Sequence, residues 1–265
     1  MYSVNYQRAA SVDDAVKKAQ GGDAKFLSGG MTLIPAMKTR LAAPSDVIDL
    51  MHIPGLKGIT ISGNDVTIGA ATTHAEVAAD QALKKLCPAI SHLAAHIGDP
   101  HVRHRGTIGG SIANNDPAAD YPAAMLALGA TIVTNQREIP ADEFFTGLFE
   151  TALEEGEMVT AVRFAAPGTA GYAKFPNPAS RYAVTGVFVV KGNDGVRVAV
   201  TGAGEDGVFR SQEIEAALAK KFDASALDGI QIPSDGLMSD IHASPEYRAN
   251  LIAVMAKRAV AAANG

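Results

Sequence analysis

The chain has 265 residues, 47% hydrophobic and 19% charged, with 26 glycines and 13 prolines, a balance that argues against disorder or a fibrous architecture and suits one large domain or two to three packed subdomains. A net charge of -5 argues against a broad polyphosphate-binding surface, so no nucleic-acid partner is expected. One cysteine, Cys87, excludes an intrachain disulfide framework and an iron–sulfur cluster held by this chain's own thiolates.

From the N-terminus, Met1 to Tyr6 lacks a basic region followed by an apolar core, and no apolar run approaches a membrane span. Cytoplasmic residence is therefore expected, with peripheral attachment through a folded partner left open. Residues 11–20 read as a helix capped by Ser11, with Asp13 and Asp14 complementing its dipole and Gly21-Gly22 ending it. A short strand at 25–27, a Ser-Gly-Gly-Met-Thr loop at 28–32 and a helix from Leu33 to Leu41 follow. Asp46 to Leu50 reads as a second strand between turn signals at Pro44 and Pro54. Alternating apolar positions at Ile59, Ile61, Val66, Ile68 and Ala70, with Gly63-Asn64-Asp65 between them, predict an antiparallel hairpin.

Helices are predicted over 74–83 and 87–96, then a long glycine-bearing loop. Asp116-Pro117 is the expected N-cap and first turn of a helix ended by Gly129. Residues 130–134 and 137–139 predict a second hairpin, and 158–164 a strand. Gly168 to Gly171 is the expected domain connection. Beyond it, strands at 186–191 and 196–202 flank Gly192-Asn193-Asp194-Gly195, and helices at 214–220 and 245–262 close the chain.

Two glycine-bearing segments carry the chemistry. Gly29 and Gly30 stand where a strand hands over to a helix, leaving backbone N–H groups unpaired and unobstructed, which suits a phosphate as readily as a plain turn. The segment matches neither the Walker pattern nor the GxGxxG fingerprint. In the second, Gly106, Gly109 and Gly110 permit close backbone approach, while Thr107, Ser111, Asn114 and Asn115 offer short polar side chains. Asp120 reads either as an acceptor for ribose hydroxyls or as a solvated first-turn acid. His92, His96, His101 and His104 lack the carboxylate or thiol partners of a recognised metal site, and none is expected.

Leu27-Ser-Gly-Gly-Met-Thr-Leu33 paired with Gly106-Thr-Ile-Gly-Gly-Ser-Ile112, running into Asn115-Asp-Pro-Ala-Ala-Asp120, resembles the FAD-binding medium subunit of the molybdenum hydroxylases, the family of the carbon monoxide dehydrogenase flavoprotein subunit and the xanthine dehydrogenase FAD domain. The likeness extends to Gly69-Ala-Ala-Thr-Thr-His74, Arg181-Tyr-Ala183 and Ser244-Pro-Glu-Tyr-Arg248. It implies an α+β fold: an FAD-binding domain at 1–167 of the vanillyl-alcohol-oxidase/PCMH type, with α/β subdomains at about 1–55 and 56–167, then a C-terminal α+β domain at 172–265 with a small antiparallel sheet and helices.

The resemblance further implies that FAD is held non-covalently, although His74 is a conceivable covalent anchor. Leu27, Ser28, Gly29, Gly30, Met31, Thr32 and Leu33 would clasp the pyrophosphate together with Thr107, Ile108, Gly109, Gly110 and Ser111, with Asn114, Asp116 and Asp120 beside them and Asp120 near a ribose hydroxyl. Ile97 and Val102 would line the adenine side, Ala70, Thr72 and Thr73 the flavin, and Tyr182 would cover a ring face, its alternative being an ordinary core tyrosine. Met31 stands where the family often has a polar residue, and Arg181 where many relatives carry an acid. Molybdopterin and [2Fe-2S] clusters would sit only on partners, a large and a small subunit, in a dimer of heterotrimers without an integral membrane segment, cytoplasmic or attached peripherally to the inner face of the membrane. The implied role is electron relay from those clusters through FAD to an external acceptor. A stand-alone FAD-dependent reductase and a non-catalytic flavin-binding module are the competing readings.

Overall fold

The structure, a computed structural model, describes residues 1–265. Its N-terminal unit is a small parallel sheet in the order β1-β3-β2, formed by β1 (Asn5–Arg8), β2 (Ala24–Leu27) and β3 (Asp46–Asp49). Parallel strands need crossovers, supplied here by α1 (Val12–Ala19) and α2 (Leu33–Lys38). Ser11 caps α1 by accepting from Asp14 N, as its sequence predicts, and buried Ala15, Ile48 and Leu50 form the core of this unit. The helix expected to reach Leu41 stops at Lys38, because the chain turns back through Arg40 in the left-handed region at φ 64°. β1 was not predicted: its side chains are largely exposed, so no alternation marks it.

The second unit is a five-stranded antiparallel sheet in the order β4-β5-β10-β6-β7. Its strands are β4 (Ile59–Ser62), β5 (Asp65–Gly69), β6 (Thr131–Thr134), β7 (Glu138–Pro140) and, joining the two predicted hairpins, the central β10 (Val159–Ala165). The helices between β5 and β6 are α3 (His74–Ala79), α4 (Gln81–Leu86), α5 (Pro88–Ala95), α6 (Pro100–Arg103), α7 (Ile108–Asn114) and α8 (Tyr121–Leu128). The single helix expected over 74–83 is divided at Asp80, whose side chain accepts from Leu83 N and restarts the helix. α8 is buried on every side from Tyr121 to Ala127, consistent with its uniformly apolar sequence. A short α9 (Ala141–Phe144) leads into a hairpin of β8 (Phe145–Gly147) and β9 (Glu150–Thr151).

The third unit is a four-stranded antiparallel sheet of β11 (Thr169–Pro176), β12 (Ala183–Gly192), β13 (Gly195–Gly204) and β14 (Gly207–Arg210), in chain order. It is backed by α10 (Gln212–Lys220) and α11 (Pro245–Asn264), with a 3-10 turn at Ala224–Leu227 between them. Gly168 to Gly171, expected as a connection, is already largely strand. A Cβ on Gly171 would lie 2.0 Å from Ala259 O, so this glycine lets α11 approach β11.

The helical layer of the second unit packs directly on this third sheet: Tyr172, Phe188, Val190 and Ala199 belong to the same buried cluster as Met125, Ile108 and Ile90. Backbone bonds also cross between them, from Ala183 N to Ala118 O at 3.3 Å and from Gly202 N to Pro117 O at 2.8 Å.

Candidate cofactor-binding site

The two glycine segments meet. Ser28 Oγ lies 2.8 Å from Thr107 Oγ1, and a Cβ on Gly29 would lie 1.9 Å from Arg105 O. No side chain larger than hydrogen fits that junction, so Gly29 is required by close backbone approach. Gly30, at φ 74°, then turns the chain into α2. The amides of Gly29, Gly30, Met31 and Thr32 donate to no protein acceptor. Successive N–H groups left without a protein partner at the entry to a helix suit an anion.

The second segment differs from the loop that its glycines suggest. Thr107 is a helix N-cap, accepting from Gly110 N at 3.2 Å, and Ile108 to Asn114 is α7. Its amides are largely engaged: Ile108 N donates to Thr72 O at 3.1 Å and Gly109 N to Ala70 O at 2.9 Å. Gly109 is also sterically necessary, since a Cβ there would lie 2.5 Å from Ala70 Cβ. This segment therefore braces the first loop, and the first loop offers the free amides.

Between them opens a cleft of about 740 Å³. Leu27 through Leu33 line one wall, and Thr107, Gly109, Gly110, Ser111 and Asn114 the opposite one. Ala70, Ile97, Val102, Asp116, Asp120 and Tyr182 complete the enclosure. Three expected residues do not line it. Thr72 is buried and its hydroxyl bonds the backbone of Gly58, Thr73 is the N-cap of α3 within a capping box with Glu76, and Ile108 is wholly buried core. Each helps to build the wall from behind.

Asp116 does not cap a helix. It closes a turn, accepting from Ala118 N at 2.9 Å, and α8 begins at Tyr121 with Asp120 at the cap position. Burial pushes the Asp116 carboxyl up. Asp120 is 4% exposed, which overturns its reading as a solvated acid. Tyr172 OH donates to its Oδ1, and Lys174 Nζ lies 2.9 Å from the same oxygen. Both of these contacts are to Oδ1, and Asp120 lines the cleft. Burial raises this carboxyl, while Lys174 and Tyr172 pull it down. Tyr182, 45% exposed, is not a core tyrosine. It stands on a loop whose preceding residue, Arg181, has φ 63°.

Sequence reasoning passed over part of the lining. His74, weighed only as a covalent anchor, is buried against Tyr121 with ring centroids 5.4 Å apart, and burial lowers its pKa to about 4. Leu153, Glu157, Met158 and Val159 close one side without any motif to announce them. Glu157 is held by Thr134 Oγ1 at 2.7 Å and Arg137 Nε at 3.0 Å, and these bonds outweigh its burial to keep its pKa low. His96 and His104 spend their Nδ1 atoms on local carbonyls at 2.8 and 2.7 Å, and the four neighbouring histidines do not converge.

A deep cleft with an apolar majority at its walls, amides suited to an anion at one point and carboxylates at another fits a dinucleotide better than a free phosphate. Residues 2–167 match the family described as FAD binding domain in molybdopterin dehydrogenase. The chain is 37% identical to the carbon monoxide dehydrogenase medium chain of Afipia carboxidovorans, over 97% of this chain and 96% of that one. It is 34% identical to the nicotine 6-hydroxylase medium subunit of Paenarthrobacter nicotinovorans, over 97% and 96%. Among solved structures, carbon monoxide dehydrogenase from Hydrogenophaga pseudoflava superposes with a TM-score of 0.88 at 34% identity, covering 99% of this chain and 97% of that one. Quinoline 2-oxidoreductase from Pseudomonas putida 86 gives a TM-score of 0.88 at 27% identity, covering 100% and 98%.

Proposed function

Because the chain belongs to the family of FAD-binding domains of molybdopterin dehydrogenases, as an oxidoreductase subunit with the medium subunits' α+β fold, we propose that it relays electrons between partner subunits and an external acceptor. The observation that carries this reading is the run of amides without a protein acceptor at Gly29 to Thr32, residues that line the cleft, which would take the pyrophosphate of a non-covalently held FAD. FAD supplies the redox chemistry when bound.

This chain's residues bind and orient. Asp120 offers its carboxylate to a ribose or ribityl hydroxyl, Ile97 and Val102 give an apolar bed on the adenine side, and Tyr182 shields one ring face at the open end. His74 is buried and, with its pKa lowered to about 4, is neutral near pH 7, so it supplies no imidazolium as a proton donor. That supports a relay over a self-sufficient reductase. We assign the electron supply to [2Fe-2S] clusters on a small subunit and substrate oxidation to a molybdopterin-bearing large subunit, within a dimer of heterotrimers. No helix is long and apolar enough to cross a membrane, so we place any membrane association in the complex. We also assign residues 1–167 to the FAD-binding domain, with subdomains at about 1–55 and 56–167, and residues 172–265 to the C-terminal domain.

Affinity purification of the native chain tests this. Co-purification of a flavin-loaded complex containing molybdenum and iron supports the relay. A lone yellow protein that turns over a substrate by itself overturns it in favour of a reductase, and a flavin-loaded chain that no reducing partner accompanies overturns it in favour of a storage module.

A further inference from the structure

One cation on the third sheet touches three separate parts of the cleft. Lys174 stands on β11 with its side chain only 6% exposed. Its ammonium lies 2.9 Å from Asp120 Oδ1, 2.8 Å from His96 O and 3.0 Å from Arg181 O. The ammonium thus donates to two carbonyls on different segments and pairs its charge with a carboxylate on a third. Asp120 precedes α8 on the cleft floor. His96 ends α5 immediately before Ile97, and Arg181 immediately precedes Tyr182.

Asp120 is also held by Tyr172, but the loop bearing Tyr182 has otherwise only weak or local contacts. The loop at 177–182 closes on itself through Arg181 N to Asn177 O and Asn177 N to Tyr182 O, both 2.8 Å. Its direct bond to the adenine-side turn, Arg181 Nη1 to Gly98 O, is long at 3.4 Å. Lys174 is the short connection between that loop and the rest of the site.

We propose that Lys174 is the positioning residue of this cleft: its one ammonium sets the Asp120 carboxylate, the turn entering Ile97 and the loop bearing Tyr182 at fixed separations, and so holds the two ends of the bound dinucleotide in register. The proposal rests on the FAD reading for its ligand. The tether itself is a property of the chain alone. Lys174 need not touch the cofactor, since its effect passes through the three segments it joins.

The test uses the full chain purified without flavin, as wild type, Lys174→Met, and Lys174→Met with Asp120→Asn. The double variant removes the carboxylate that would otherwise be buried beside no cation, and so keeps a folded sample in hand. Amide exchange is followed first without flavin. Residues 96–98 and 180–183 exchange at least about tenfold faster in both variants, as expected for a lost buried tether, while β12, β13 and α11 keep wild-type protection. On adding FAD, Lys174→Met binds at least about tenfold more weakly, and iodide quenches its bound flavin more readily because Tyr182 no longer stays over it; the double variant, which also loses the Asp120 carboxylate, is read by its flavin-free exchange alone. Wild-type exchange in the two segments together with wild-type FAD affinity overturns the proposal. So does faster exchange spread evenly over the third sheet, which marks a residue that only holds the fold. A wild-type chain that takes up no FAD instead defeats the functional reading above, and the flavin-free exchange still decides the tether.

Discussion

At the scale of single residues, the site is governed by what cannot be added. A methyl on Gly29 would enter the space of the Arg105 carbonyl, at 1.9 Å, and that atom is backbone that cannot rotate away. Gly29→Ala must therefore separate the two segments, with an expected loss of about 1–3 kcal/mol of stability from overpacking and at least about a tenfold weaker FAD complex, since the free amides move with the loop. Titration of the variant with FAD, alongside its urea midpoint, checks this; an unchanged affinity would show that the close approach is incidental. His74 gives a pH-dependent prediction. Its folded pKa, about 4, lies below the ordinary value of 6.5 because burial and Arg103 oppose protonation. Between those values the unfolded chain takes up a proton that the folded chain refuses, so this contribution is complete above about pH 6.5, falls as the pH drops, and levels off below about pH 4, a total of about 3 kcal/mol. His74→Gln cannot titrate and removes that limb. Comparing the two proteins' unfolding free energies at about pH 7.5 and about pH 4.5 isolates it, and equal acid losses would assign the sensitivity to another group.

At the scale of elements, Thr107 joins helix capping to site assembly. Its hydroxyl accepts from Gly110 N at 3.2 Å and meets Ser28 Oγ at 2.8 Å. Thr107→Val keeps the volume and loses both, at an expected cost of about 1–2 kcal/mol. α7 amides should exchange faster and FAD bind more weakly, and Thr107→Ser should restore both measurements. Recovery of neither would mean that the methyl, packed in the core, is what matters. This element also shows where sequence reading stops. Helices with side-chain caps or glycine ends, such as those begun by Ser11 and ended by Gly129, were legible because their signals are local. α7 was not, because glycines at two of its first three positions disfavour a helix by about 1 kcal/mol each. Those glycines are retained for contacts with Ala70 and the first loop, which no local rule contains. β11 was hidden for the same reason: Gly171 reads as a linker residue, and its purpose, the approach of α11, lies 88 residues downstream at Ala259. The cap of α8 was misplaced from Asp120 to Asp116 because Asp-Pro is a good opening in isolation, whereas Pro117 to Ala119 is drawn away by bonds to β12 and β13.

For the whole molecule, the α+β class and the family followed from paired motifs, but the dependence of the site on the third sheet did not, since it arises from side chains brought together only by folding. Asp120 is set from that sheet: Tyr172 and Lys174 hold its carboxylate, Gly202 N bonds Pro117 O at 2.8 Å, and Thr201 Oγ1 bonds Ala119 O at 2.6 Å. Phe188 and Val190 complete the same buried cluster as the helices behind the cleft. A fragment of residues 1–167, although it contains both glycine segments, would expose the face of α8 that these residues cover and leave the Pro117 to Ala119 carbonyls to water, each at a loss of about 0.5–1.5 kcal/mol. Such a fragment should retain helical far-ultraviolet dichroism, bind a hydrophobic dye, show no cooperative unfolding and take up no FAD. Adding separately prepared residues 168–265 should restore cooperativity and flavin binding together, because the same contacts supply both. A fragment that melts cooperatively and binds FAD unaided would show that the amides at Gly29 to Thr32 suffice, and that the third sheet serves another purpose.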